Sequence, residues 1–217
     1  MSRRKNKSIT VGVIILVVIA SLVFTIAFSG DSDSLFSFFG LRDDAQSQGT
    51  MSVDFIDVGQ GDCTLIVSGD NVILVDGGES GAADSVINFL RNKNISEIDC
   101  CIATHPHSDH IGSLYRVFEE FEVVDVIMPE IPENLIPTSK AYEKFMRSVA
   151  EHAQNVYPAV TGETHAYGDI KIEILGPVGE YDNLNDYSVV SRIVYGKTAL
   201  MLTGDAEKPA EEDILSK

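Results

Sequence analysis

The stretch Asp99-Cys100-Cys101-Ile102-Ala103-Thr104 runs straight into His105-Pro106-His107-Ser108-Asp109-His110, and this junction limits the possible folds more than any other feature. The first part reads as a strand buried on both faces, which requires a layer of structure on each side. Three of the chain's five histidines and an aspartate then fall within six residues. The end of a rigid strand is where a preorganised metal site can be built. While the backbone stays extended, positions i and i+2 face the same way, so His105 and His107 can hold one ion together, with Pro106 stiffening the spacer. Asp109 and His110 follow a turn and can point at a second ion. The competing reading is a solvated polar loop, and three imidazoles after so apolar a strand argue against it.

The rest of the body supplies the layers. Val53–Val58, Thr64–Val67 and Val72–Val75 read as an opening β-meander with Gly, Asp and Asn turns. Helices are expected at Ala82–Lys93, Ser113–Phe121 and Ser139–Gln154, and further strands at Val123–Met128, Lys171–Leu175, Val189–Tyr195 and Ala199–Thr203. A last helix starts near Glu207 with Pro209 in its first turn. This mixture predicts a layered α/β or α+β domain. A hydrophobic fraction of 44% in 217 residues is enough for one core. Three cysteines make no disulfide framework, and Cys100 and Cys101 are expected as small core residues.

Charge narrows the function. Four of the 16 bases (Arg3, Arg4, Lys5, Lys7) lie in the first seven residues, leaving 12 bases against 33 acids in the rest. Unaided binding of a polyanion needs clustered Lys and Arg and is therefore not expected. Residues 9–28 are almost wholly apolar, long enough for a helix across the roughly 30 Å hydrocarbon core. The expected organisation is a cytoplasmic basic tail (1–8), a single-pass transmembrane signal anchor (9–28), a linker (29–50) and an extracytoplasmic domain from 51 to 217 at the cell membrane. A cleaved signal peptide is the alternative.

His105-x-His107-x-Asp109-His110 followed by Gly112 resembles the signature of the metallo-β-lactamase superfamily. Asp76-Gly77-Gly78 after one strand and Gly204-Asp205 after another agree with it. The opening Asp57-Val58-Gly59-Gln60-Gly61-Asp62, with Asn185-Asp186-x-Ser188, resembles one branch. That branch holds the hydrolase-like domain of competence (DNA-uptake) proteins and phosphorylcholine esterases.

The resemblance implies an α+β, four-layer αβ/βα sandwich over residues 51–217. It also implies two divalent metal ions, with zinc favoured over manganese on the histidine count. His105 and His107 would take the first ion, Asp109 and His110 the second, and Asp205 would bridge them, with Asp109 and Asp205 as the catalytic carboxylates. A hydroxide at the dinuclear site would then attack a phosphate ester. Asp76 would orient a ligand, while Asp57, Asp62, Asn185 and Ser188 would lie behind the ligands or at the substrate rim. A further ligand histidine found in many members has only His152 and His165 as candidates here, and both read better as structural residues. Relatives of this kind continue past the bridging aspartate to one more histidine ligand, and none follows Asp205. The domain is accordingly expected to be incomplete at its C-terminus, with impaired activity.

The expected function is a membrane-anchored metallohydrolase acting on phosphate esters, phosphodiesters or nucleic acid. Two other readings stay open. One is a non-catalytic DNA-uptake or binding domain with structural metals, and the weaker one is a lactam or thioester hydrolase. No specific protein partner is legible.

Overall fold

A computed structural model describes residues 49–217. The expected basic tail, membrane span and nearly all of the linker lie outside the described residues. Among the described residues, no helix is long and apolar enough to cross a membrane.

Two sheets form the body. The first has six strands in sequence order: β1 (Met51–Phe55), β2 (Thr64–Ser68), β3 (Asn71–Val75), β4 (Glu97–Ile102), β5 (Glu122–Met128) and β6 (Ala153–Pro158). The opening three are an antiparallel meander, and β3 to β6 run parallel. Parallel neighbours need crossovers, which are supplied by α1 (Ala83–Asn92), α3 (Leu114–Glu120) and α4 (Lys140–His152), with the single-turn α2 (Ser108–Ile111) before α3. The second sheet is antiparallel, in the order β10 (Thr198–Leu202), β9 (Ser191–Tyr195), β8 (Ile170–Ile174), β7 (Thr164–Tyr167). Helix α5 (Lys208–Leu215) follows it.

Alternation along the central strands explains the stacking. Val72, Leu74, Ile98 and Cys101 face a core shared with Val86, Leu90, Leu114, Phe118 and Phe145 of the helices. Their neighbours Ile73, Val75, Cys100 and Ile102 face the opposite core, against Ile170, Ile172, Ile174 and Ile193 of the second sheet. Along β3 and over Cys100–Ile102 the side-chain period is two, while Ile98 and Cys101, three apart across Asp99, share a face, so apolar residues cover both faces of the sheet. The result is a helix–sheet–sheet sandwich of α+β class, its first sheet mixed and its second antiparallel.

Most expected elements are present with ends shifted by one to three residues, but β6 and β7 were missed. The helix expected to reach Gln154 stops at His152, and Ala153–Pro158 pairs in parallel with β5 at the sheet edge. An edge strand with five of six residues exposed carries no buried face to mark it. The first sheet therefore has six strands rather than five. His165 lies in β7 opposite Ile172, and His152 is exposed at the end of α4.

All three cysteines are buried and unpaired. Burial raises their pKa values, that of Cys100 to about 12. The folded domain should therefore be inert to a thiol-specific chromogenic reagent at pH 8. All three thiols should react once denaturant unfolds the chain, a difference read by titrating absorbance with and without urea.

Candidate metal centre

Backbone geometry at the end of β4 gathers the histidines. His107 is extended (φ −78°, ψ 148°) and begins α2, whose His110 and Ile111 amides donate to its carbonyl. The extended stretch places His105 Nε2 2.9 Å from His107 Nδ1, and the helical turn swings His110 back so that its ring centroid is 4.2 Å from that of His105. His105 and His110 are buried.

Asp205, after β10, closes the group from the second sheet. Its Oδ1 is 3.3 Å from His110 Nε2 and its Oδ2 is 3.8 Å from His105 Nε2. One carboxylate thus turns an oxygen toward each imidazole. The Asp205 amide donates to Ser188 Oγ at 3.2 Å, and the amides of Glu207 and Ala210 donate to Asp186 Oδ1. Asn185 Nδ2 donates to Glu207. The Asn185–Ser188 segment therefore holds the Asp205 loop in place. Gly204, at φ +51°, is required where the two loops cross, since a Cβ there would lie 2.9 Å from Thr104.

Behind the rings, proton positions follow from donor counting. Asp76, fully buried, accepts from the Thr104 amide at 2.8 Å and from Thr104 Oγ1 at 2.6 Å, and its Oδ2 lies 2.8 Å from His110 Nδ1. The single hydroxyl proton of Thr104 is thereby used, so its oxygen accepts from His105 Nδ1, 3.2 Å away. Ser188 Oγ is 3.3 Å from the same nitrogen. Both Nδ1 atoms are committed to partners behind the site, and each Nε2 is the atom turned toward Asp205. This donor set fits a divalent ion: ligand imidazoles generally donate their other N–H to a carboxylate or oxygen acceptor. Thr104 is the contributor that sequence reasoning missed. Its only signal was a hydroxyl residue directly before the first histidine.

Electrostatics follow the same layout. Burial and then the neighbouring His110 and His107 push His105 down to about 3. Burial opposes the charged form of His110, yet Asp76, with Asp205 and Asp109, outweighs it and raises His110 to about 9. Burial also raises Asp76, against the donors that hold it. For this pair we take His110 as the proton holder in the metal-free protein, because Asp76 accepts three hydrogen bonds.

The remaining expected residues divide. Asp62 converges with Asp76 and His110, their ligand atoms within 4.8 Å of one another. Asp57 only accepts from the Gly59 amide within its own turn, and Asn185 acts one layer back through Glu207. Asp109 belongs to neither of the two convergent groups, His105–His110–Asp205 and Asp62–Asp76–His110. The loop between Asp57 and Asp62 presses directly on the His107–His110 turn, since a Cβ on Gly61 would fall 1.7 Å from the Asp109 carbonyl oxygen.

A family model for the metallo-beta-lactamase superfamily matches residues 56–217. The chain belongs to this superfamily. It is 26% identical over 183 residues to ComE operon protein 3 of Bacillus subtilis and 26% over 186 residues to competence protein ComA of Neisseria gonorrhoeae. These alignments cover 76% and 84% of this chain. Over 119 residues, 54% of this chain, it is 28% identical to exodeoxyribonuclease YycJ of Bacillus anthracis. The chain spans 23%, 24% and 40% of these three proteins. The relatives agree with the competence branch that the opening motif resembles. A metallo-beta-lactamase HARLDQ-motif mutant from Cronobacter sakazakii shares the fold, with a TM-score of 0.54 and 12% identity over 76% of this chain and 68% of that one.

Two outcomes follow for this superfamily member. Gly59 and Gly61 share φ +80°, but only Gly61 meets a neighbour. Gly59→Ala should cost about 1 kcal/mol of stability, the left-handed strain alone, and Gly61→Ala clearly more, compared by urea unfolding. For the metal-free protein, a His110 pKa of about 9 against an ordinary 6.5 gives stability that is complete below pH 6.5 and lost as pH rises through 9. Urea midpoints in chelator should fall across that window, and Asp76→Asn should flatten the slope.

Proposed function

We propose that this chain is a metal-dependent hydrolase of phosphodiesters, with nucleic acid as its substrate class. The observation that carries the reading is the pair of imidazole Nε2 atoms facing the two oxygens of Asp205, each with its Nδ1 fixed from behind. In the proposed centre His105, His107, Asp109, His110 and Asp205 hold two divalent ions, with zinc favoured and manganese accepted. Such ions supply Lewis acidity and lower the pKa of bound water. A local cationic centre also lets an acidic protein bind a phosphate.

The chain's own groups do the positioning. Asp76 and Thr104 fix the ring orientation of His110 and His105, and Ser188 ties the His105 imidazole to the Asp205 loop. His110 gives up its extra proton when the site is loaded, because a ligand imidazole must be neutral. Asp205 turns one oxygen toward His110 and the other toward His105. The choice of nucleic acid draws on the relative named an exodeoxyribonuclease and on those named for competence. We place the domain outside the cytoplasm on a tether formed by residues 9–28.

His105→Ala with His107→Ala should remove at least one equivalent of zinc or manganese by elemental analysis and abolish turnover of bis-p-nitrophenyl phosphate. Asp205→Asn should weaken both sites. Unchanged metal content in both variants would sink the centre, and turnover of a cephalosporin reporter in preference to the diester would replace the substrate class. Protease added to intact cells should digest the domain and spare residues 1–8, and digestion only after lysis would reverse the orientation.

A further inference from the structure

A groove of about 780 Å³ opens at the C-terminal ends of β5 and β6, within the usual size range of small-molecule sites. Its lining adjoins residues of the metal centre. A crevice lined by His105 and Pro106 shares Met128, Pro129, Ile131 and Tyr142 with the groove. On the other wall Tyr187 immediately precedes Ser188, the residue 3.3 Å from His105 Nδ1. The proposed function makes no use of this space.

Its lining says what it can take. Tyr142 supplies aromatic surface, Tyr187 lines the groove from a buried position against Tyr181, and Met146 and Val156 complete an apolar wall. The charged lining residues are Glu130 and Glu180, and no lysine or arginine is among them. Carboxylates repel a phosphate and accept hydrogen bonds from N–H groups. A flat, uncharged ring bearing amino or imino donors meets both conditions, and bases stack on aromatic side chains without regard to sequence.

We propose that the groove holds the nucleoside next to the scissile phosphate, with its base on Tyr142. This inference rests on the phosphodiesterase reading for the position of the phosphate. The two glutamates exclude the phosphate of a further nucleotide, so the bound nucleoside lies at a strand end rather than within a continuous strand.

Adenosine, which carries no phosphate, separates the two claims. The chain has no tryptophan, so its ultraviolet emission comes from its tyrosines and should be quenched by adenosine, with or without metal. Tyr142→Leu should weaken adenosine binding at least about fivefold. Val156→Trp, which fills the groove from an edge-strand position 49% exposed, provides a second variant should the first misfold. In metal-loaded full-length protein, the KM for thymidine 5′-(p-nitrophenyl phosphate) should lie at least tenfold below that for methyl p-nitrophenyl phosphate, and Tyr142→Leu should collapse that ratio. No adenosine binding, equal binding in both folded variants, or preference for tetramethylammonium over adenosine would overturn the groove assignment. Adenosine binding with neither ester cleaved would support the nucleoside site and overturn the phosphodiesterase reading.

Discussion

The buried carboxylate of Asp76 is the interaction on which the site depends. It sits at the end of β3 in a left-handed conformation, φ 57°, that few residues other than glycine adopt. From there it takes the amide and hydroxyl of Thr104 at the end of β4 and the imidazole of His110 on α2. Burying a charge is costly unless it is fully hydrogen-bonded, and here three donors offset the loss of water. The neighbouring backbone repeats the lock: Gly77 donates to the His110 carbonyl, and the Ser113 hydroxyl donates to Gly77 at 2.5 Å. Strand ends and the His105–His110 turn are thus fixed as one unit by the protein alone.

The second sheet solves a different problem. Asp205 is partly exposed on a loop and has no buried network of its own. Its position is borrowed from the Asn183–Ser188 segment, where Asp186 is buried, accepts from two amides at the start of α5, and is held by Asn183. Ser188 then couples that frame to His105. The two halves of the site are rigid for different reasons, one through a buried charge and the other through a hydrogen-bonded clamp.

Legibility in the sequence followed burial. Strands covered on both faces, such as Val72–Val75 and Asp99–Ile102, announce themselves as apolar runs, and the histidine cluster is local in sequence. Strand β6 is nearly all exposed and had no such pattern. Thr104 was invisible because its role depends on a partner 28 residues away, a contact that exists only after β3 and β4 pair. Asp186 stood inside a recognised motif, yet its hold on the helix after Asp205 spans 21 to 24 residues and leaves no local trace. Residues whose chemistry is carried by spacing were readable, and those whose chemistry is carried by topology were not.

The division of the proposed ligands between sheets has a thermodynamic consequence. His105 rides on the first sheet and Asp205 on the second, one hundred positions apart in the chain. An ion held by both is a cross-link that closes almost the whole length of the second half of the fold. Clips over long loops remove the most freedom from the unfolded chain, on the order of 4–5 kcal/mol for about 100 residues in the chain-entropy account. The same ion that equips the site would then also tie the two sheets of the sandwich together.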